Sequence, residues 1–318
     1  MARPQESPEM PTALPTLGRY LHLFPPTPLV PVQLDAGEPT IWCKQEFLNP
    51  SGSTKDRIAR FMLEKAWRQG RLQPGGHVVE ASSGSTSLSL ALVCAQLGLH
   101  FTAVVPEGVS EERLRSLRAY GASLLLSPKA EGIRGALTRA AAHAEATGAH
   151  YTRQFENMDN PDTHRRWTGQ EVLAQVPNGM VHAVVSGVGT GGTIVGLFQA
   201  FAEAGCPTLP FAARPTTSRA LPEVECCSFS TRVPGVVEGI SSLYTRENLP
   251  GLVELDVDDG LALETTRRLI RRGFPVGPSS GLNFAAACEA ARRLPPGAQV
   301  VTVFPDRMER YFSTELFS

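Results

Sequence analysis

Lysine is scarce in this chain. Only Lys44, Lys55, Lys65 and Lys129 occur, and arginine supplies almost all the remaining basic charge. Charge of one sign is missing as well: 30 basic residues stand against 31 acidic ones, a formal charge of -1. No long-range field therefore draws nucleic acid, an anionic membrane or an acidic partner, and specificity has to come from a local site. None of the six cysteines forms a C-x-x-C pair, and the adjacent Cys226 and Cys227 cannot easily bridge to each other. They read as thiols of a reducing compartment. MARPQESPEMPTALP carries charges and prolines where an export signal needs an apolar core, so a cytoplasmic location is expected. The longest apolar stretch, SLSLALVCAQLGLHFTAVV at 87–105, is broken by Gln96, Gly98 and His100. It reads as a buried helix and a following strand, with no membrane span. The histidines show no paired ligand spacing, so no metal is expected.

What is present is a rhythm. Short β-branched or aromatic runs, HVVEA, HFTAVVP, SLLLS, MVHAVVS and QVVTVFP, alternate with longer helical stretches. That alternation implies parallel strands with crossover helices, in open α/β sheets covered on both faces. SEERLRSLRAYG and STSLSLALVCAQLG carry the matching punctuation, each opening on serine and ending on glycine. The strand candidates are too many for one sheet, so two are expected. The division reads as a proline-rich extension over 1–26, a smaller domain over 43–154, and a larger one from 27–42 plus 155–318.

Ligands of open α/β sheets bind beyond the C-terminal ends of the strands, and three loops there are rich in glycine and hydroxyls. EASSGSTS sets Ser82, Ser83, Ser85 and Thr86 around Gly84 at a helix start. This is either an anion pocket suited to a carboxylate or a serine-rich cap. SGVGTGGTIVG satisfies G-x-G-x-x-G through Gly187, Gly189 and Gly192, which raises a dinucleotide reading and an NAD(P) oxidoreductase. Such a site wants an acidic residue about twenty positions on, where LPFAARP ends in Arg214. The dense glycine with Thr190 and Thr193 suits backbone amides closing on one phosphate monoester. VGPSSGLNFAAA places Ser279 and Ser280 at a helix entrance, where capping is the plain explanation.

The lysines differ in setting. Lys65 reads as a solvated helix charge, Lys129 sits in the polar turn SPKAEG, and Lys44 in IWCKQEF reads as an edge-strand charge. Lys55, in NPSGSTKDR, begins a helix with a capping-box pair in Ser53 and Asp56 and an apolar face in Ile58, Phe61 and Met62. A cation is disfavoured at a helix N-terminus, and partial burial disfavours it further. Both effects favour the neutral amine that a nucleophilic lysine needs. A phosphate cradle, a carboxylate pocket and such a lysine are together what a pyridoxal phosphate enzyme requires.

NPSGSTKDR, EASSGSTS, GVGTGGTI, GPSSG and PDRMERYFST, with TPLV and QFENMDNPDTHRRWTGQE, resemble in order and spacing the cysteine synthase and cystathionine β-synthase family of fold type II enzymes. The resemblance runs from about Thr27 to the C-terminus. It implies two open, mostly parallel twisted sheets flanked by helices, as in the tryptophan synthase β-like fold, with pyridoxal 5'-phosphate as cofactor. By position, Lys55 matches the lysine that binds the cofactor as an imine and moves the α-proton. Gly189, Thr190, Gly191, Gly192 and Thr193 match the phosphate loop, and Ser279 the hydroxyl facing the pyridine nitrogen. Ser82, Ser83, Gly84, Thr86 and Gln154 match the substrate-carboxylate site. Ser85 stands where asparagine is usual, in reach of the cofactor's phenolic oxygen. Ser241 and Ser242 replace a glycine-rich stretch, with the expectation of a narrower entrance.

The implied reaction is β-replacement on O-acetylserine or O-phosphoserine with sulfide to give L-cysteine. Related outcomes are cysteine desulfuration and synthesis of other β-substituted alanines; a non-catalytic cofactor-binding paralogue is a third class. Arg219 or Arg232 would be the phosphate partners of O-phosphoserine. A homodimer is implied, and a serine acetyltransferase tail is a possible partner that Ser241 puts in question.

Overall fold

The structure is a computed structural model that describes residues 25–82, 84–217, 232–233 and 239–318. The extension before residue 25, Ser83, Arg219 and the Cys226–Cys227 pair lie outside the described residues.

Two sheets carry the fold. The smaller contains β3 (His77–Ala81), β4 (His100–Pro106), β5 (Ser123–Ser127) and β6 (His150–Tyr151), in the order β5-β4-β3-β6 and parallel throughout. The larger contains β1 (Leu29–Val32), β2 (Ile41–Gln45), β7 (Ala183–Gly187), β8 (Leu209–Thr216), β9 (Val253–Asp258) and β10 (Val300–Phe304). Its order is β1-β2-β10-β7-β8-β9, and only β1 runs antiparallel to its neighbour.

The strands are apolar on both faces because helices cover both. In the smaller sheet Val78, Phe101, Ala103 and Val105 join one core with Leu63, Ala66, Leu90 and Leu117, while Val79, Ala81 and Val104 face the opposite core with Ala136 and Ala140. In the larger sheet Val300 and Phe304 point to a core that includes Leu269 and Phe284, whereas Val301 and Val303 point to Ile194, Leu197 and Phe201. Each fully buried Val, Leu or Phe contributes about 1.5–3 kcal/mol of transfer free energy. The apolar run at 87–105 divides as its breakers require: the helix α2 (Ser85–Leu97) stops at Gly98 in the left-handed region, φ 66°, and β4 follows.

Two expectations are corrected here. A domain boundary at residue 43 would cut β2, which stays whole in the larger sheet between β1 and β10. For the same reason Lys44 is not an edge charge: β1 covers the outer side of its strand, and the side chain is fully buried.

Candidate active site

Three chain segments meet where strands end. The helix α1 (Lys55–Arg68) begins beside the segment that follows β10, tied by Thr54 N to Pro305 O at 2.8 Å and by an isolated antiparallel bridge between Ser53 and Asp306. The loop after β3 leads into α2, and the loop after β7 leads into α7 (Gly192–Glu203), the helices between them being α3 (Glu111–Ala119), α4 (Gly132–Thr147), α5 (Asp159–Thr163) and α6 (Gly169–Gln175). Between these segments lies a cavity of about 360 Å³.

Lys55 lines that cavity together with Ser82, Gly84, Ser85, Thr86, Gln154, Gly189, Thr190, Gly191, Thr193 and Ser279. Residues from five separate parts of the sequence are thus brought to one place. Gly192 lies just behind the wall. Arg232 does not line the cavity; it is bound to Asp259 at 2.8 Å and to Glu315, which removes it as a phosphate partner. Ser241 does not line it either. Its hydroxyl lies 3.0 Å from Phe155 O and 2.5 Å from Thr190 O, so it fastens loops together instead of narrowing the entrance.

The lysine is held by its backbone. Ser53 Oγ accepts from Lys55 N at 3.3 Å, and Asp56 returns a carboxylate oxygen to Ser51 N at 2.9 Å and to Ser53 N at 3.5 Å; the expected capping box is corrected to this extent, that the N-cap is Thr54, whose side chain makes no capping bond. The Lys55 ammonium has no ion pair among the described residues. Burial lowers its proton affinity below the usual lysine range; Asp306 and Glu46 oppose that, and Arg310 reinforces it.

The loop from Gly189 to Thr193 is fixed by close helix contacts. Gly191 adopts φ 80°, and a Cβ there would lie 2.8 Å from Tyr244 Cβ. A Cβ on Gly192 would lie 1.9 Å from Asn160 Oδ1, the residue whose Nδ2 donates to Gln154 O (2.9 Å) and to Thr190 Oγ1 (2.8 Å). One turn on, a Cβ on Gly196 would meet Pro161 O at 2.2 Å. Thr193 is positioned from the side by His164, whose ring nitrogens lie 3.3 Å from Thr193 Oγ1 and 2.9 Å from Thr168 Oγ1. Burial pushes His164 down to about 3, so the ring is neutral, with one nitrogen donating and the other accepting. The first N-H groups of α7 have no intrahelical acceptor, and with the helix dipole they favour an anion at this loop.

Across the cavity, Thr86 Oγ1 donates to Gln154 Oε1 at 2.6 Å, and Gln154 Nε2 donates to Ala81 O at 2.8 Å. Behind them Glu80 accepts from Thr152 Oγ1, Gln154 N and Ala81 N at 2.5, 3.0 and 2.8 Å. Burial raises its carboxyl to about 7 against those bonds. Ser85 Oγ accepts from Arg310 Nη1 at 2.8 Å. The helix α9 (Pro278–Arg292), which follows α8 (Asp259–Arg271), brings Ser279 and Asn283 to the wall. Asn283 ties Gly187 N (2.6 Å) to Val303 O (2.8 Å) and so locks β7 to β10 below the cavity.

Asn160, His164, Asn283, Asp306 and Arg310 were not singled out from sequence. All five fall inside quoted segments, Asn160 and His164 in QFENMDNPDTHRRWTGQE, Asn283 in VGPSSGLNFAAA, and Asp306 and Arg310 in PDRMERYFST, which were the available signal.

The cavity is built for a phosphorylated ligand that carries a carbonyl. A helix N-terminus with threonine hydroxyls and an amine of lowered proton affinity both border it, and Thr54 Oγ1 and Asp306 Oδ1 in the wall are buried without hydrogen-bond partners among the described residues. Comparison with known proteins agrees with this chemistry. A family model described as "Pyridoxal-phosphate dependent enzyme" matches residues 21–306. A cysteine synthase of Staphylococcus aureus is 37% identical over 303 residues, covering 92% of this chain and 94% of the relative. Among solved structures, O-ureido-L-serine synthase superposes with a TM-score of 0.82 at 33% identity, covering 93% of this chain and 94% of the other. The O-acetylserine dependent cystathionine β-synthase of Helicobacter pylori gives 0.84 at 30% identity, covering 94% and 98%.

Proposed function

The chain belongs to the pyridoxal-phosphate dependent enzymes, and on that premise we propose that it replaces the β-substituent of an O-activated L-serine with sulfide, giving L-cysteine. The observation that carries the proposal is the sharing of one cavity by an unpaired, half-buried lysine, the Gly189–Thr193 loop and the Thr86–Gln154 pair. When bound, the cofactor supplies an electron sink that acidifies the α-proton of an amino acid.

In this reading Lys55 binds the cofactor carbonyl and, once displaced, takes the α-proton at its Nζ. Gly189, Thr190, Gly191, Gly192 and Thr193 hold the phosphate with backbone amides and two hydroxyls. Ser82, Gly84, Thr86 and Gln154 hold the substrate carboxylate, with Ser83 completing that loop. Ser279 offers a neutral hydroxyl to the cofactor ring nitrogen, which cannot keep a proton there as a carboxylate would. A weaker sink favours departure of a good β-leaving group over transamination.

The activating group of the substrate is acetyl in this reading. The O-acetylserine dependent neighbour supports that choice, and of the two arginines expected to meet a phosphate Arg232 is engaged by Asp259 and Glu315. A second nucleophile class is suggested by two of the named neighbours, the O-ureido-L-serine synthase and the cystathionine β-synthase. A homodimer forms part of the same proposal, to be read by sedimentation.

The test combines identity and product. Borohydride should discharge a visible chromophore and leave the pyridoxyl group on the peptide bearing Lys55, and O-acetylserine with sulfide should yield cysteine. Modification of another lysine, or a chromophore that responds to no amino acid, would end the proposal. Replacing sulfide by homocysteine or hydroxyurea then ranks the nucleophiles.

A further inference from the structure

Lys55 shares its cavity with a pair of buried charges that the reaction as described leaves idle. Asp306 is 6% exposed and Arg310 9%, and both line the cavity wall. Their placement is set by backbone. Arg307 N donates to Gly52 O at 3.2 Å, Thr54 N to Pro305 O at 2.8 Å, and Gly277 N to Asp306 O at 3.0 Å. Asp306 is therefore clamped between the start of the Lys55 helix and the start of the Ser279 helix. Gly277 leaves it room, since a Cβ there would lie 2.5 Å from Asp306 Oδ1.

The two oxygens of Asp306 are treated differently. Oδ2 accepts from the Tyr311 hydroxyl at 2.6 Å, while Oδ1 is buried with no hydrogen-bond partner among the described residues. Arg310 does not close that gap. Its Nη1 is 3.8 Å from Asp306 Oδ2, and its short bonds go instead to Ser85 Oγ at 2.8 Å and to Ser51 O. A buried cation and a buried anion thus stand close enough to feel each other but are each anchored by neutral partners. Such a pair is poorly used as a structural salt bridge, since the geometry that would offset desolvation is missing. It is well placed to act on a third charge.

We propose that Asp306 and Arg310 are opposed positioning charges that set the proton affinity of the Lys55 amine, Asp306 sustaining its ammonium form and Arg310 returning it to the free amine. The inference rests on the assignment of Lys55 as the group that moves the α-proton. In that step the Cα–H bond breaks, its electron pair stays with the substrate, and an N–H bond forms on Lys55; no proton passes to Asp306. The same amine must later give the proton up, so neither form can be strongly trapped. The signs agree with the electrostatics already described, in which Asp306 and Arg310 act on Lys55 in opposite directions. Other charged and titratable groups near Lys55 are Glu46 beyond β2, the neutral His164 of the neighbouring helix, Glu107, Arg113, Lys129 and Tyr311 on the cavity wall, and Asp56 and Arg57 on its own helix.

The experiment reads the amine directly. In the full-length chain freed of cofactor by hydroxylamine, the rate of Lys55 acylation by acetic anhydride is followed against pH by peptide mass spectrometry, with an added lysine-containing model peptide as reference. Asp306→Asn should lower the midpoint by about one pH unit, tenfold in proton affinity, and Arg310→Gln should raise it by about as much. The double variant should return close to the parent. Two shifts of the same sign, or neither exceeding about 0.3 unit, would overturn the proposal, because a merely structural disturbance has no reason to reverse sign. If Asp306→Asn does not fold, Arg310→Gln alone must still raise the midpoint, and a fall or no change decides against it. The readout is independent of turnover, so loss of the proposed reaction and loss of this inference are separately visible.

Discussion

Two lysines, Lys44 and Lys55, lie on the same short stretch of chain, and the contrast between them separates architecture from chemistry. Lys44 is fully buried and fully engaged, with Nζ at 2.5 Å from Thr27 O and 2.7 Å from Glu171 Oε2. Glu171 also receives Arg57, at 2.6 and 2.8 Å, and Arg57 grips Glu46 at 2.6 and 2.7 Å. That network holds Glu46 down at about 2, the Arg57 charge and hydrogen bonds outweighing its burial. Lys55 has no such counter-ion in contact and opens onto a cavity. Burial lowers the proton affinity of both amines, but only Lys44 has a hydrogen-bonded carboxylate to offset the loss. A desolvated lysine that is left unpaired is held for reaction; one that is paired on every side holds elements together.

The sharpest way to break the comparison is to exchange the losses. Lys55→Ala should reduce turnover about a thousandfold or more while thermal unfolding stays close to the parent. Lys44→Met should do the reverse, lowering unfolding free energy by about 3 kcal/mol in urea titrations, since it strips a partner from a buried ionic network. Equal stability in that variant would show that Arg57 alone satisfies Glu171.

Glu80 sharpens the same contrast from the acid side, being buried among donors but without a cation. Its folded-state value of about 7 lies above the ordinary 4.5, so its contribution to stability is fully present below about 4.5 and is lost as pH rises through about 7. Glu80→Gln should flatten the fall in stability across that window, by about 2 kcal/mol between pH 5 and pH 8. A parent protein whose stability does not fall over that range would remove the premise. The smallest effect is expected at the loop. Gly192→Ala drives a methyl group against the buried Asn160 Oδ1, 1.9 Å away, and should weaken retention of pyridoxal phosphate about tenfold in equilibrium dialysis and lower unfolding free energy by about 1 kcal/mol.

Much of the scaffold was legible along the chain because its signals are local. HVVEA and VVTVF are apolar on both faces, which only a doubly covered parallel sheet tolerates, and Gly98 ends its helix where the pattern requires. The three loops were legible because glycine and hydroxyls cluster at strand ends. Lys44 was not, since a charge within the strand IWCKQ reads as an edge-strand charge, and the groups that satisfy it, Thr27 and Glu171, are remote in sequence. Arg310 and Asp306 lie in PDRMERYFST, a segment legible as a motif, but their roles were not. Their meaning depends on a backbone bridge to Ser53, which no periodicity announces. The extra bulk of Ser241 suggested obstruction, but its direction is set by the carbonyls of Phe155 and Thr190, which fold toward it from elsewhere.

The hydrogen count at that serine closes. Its oxygen already accepts from Leu243 N at 3.1 Å, and its single proton faces two acceptors, one on the segment that ends in Gln154 and Phe155 and one on the glycine loop. Phe155 O also accepts from Ser242 N at 3.1 Å, so the proton can go to Thr190 O, the nearer of the two carbonyls. Two successive serines thus share the work, one amide holding the Phe155 segment while the neighbouring hydroxyl holds the glycine loop.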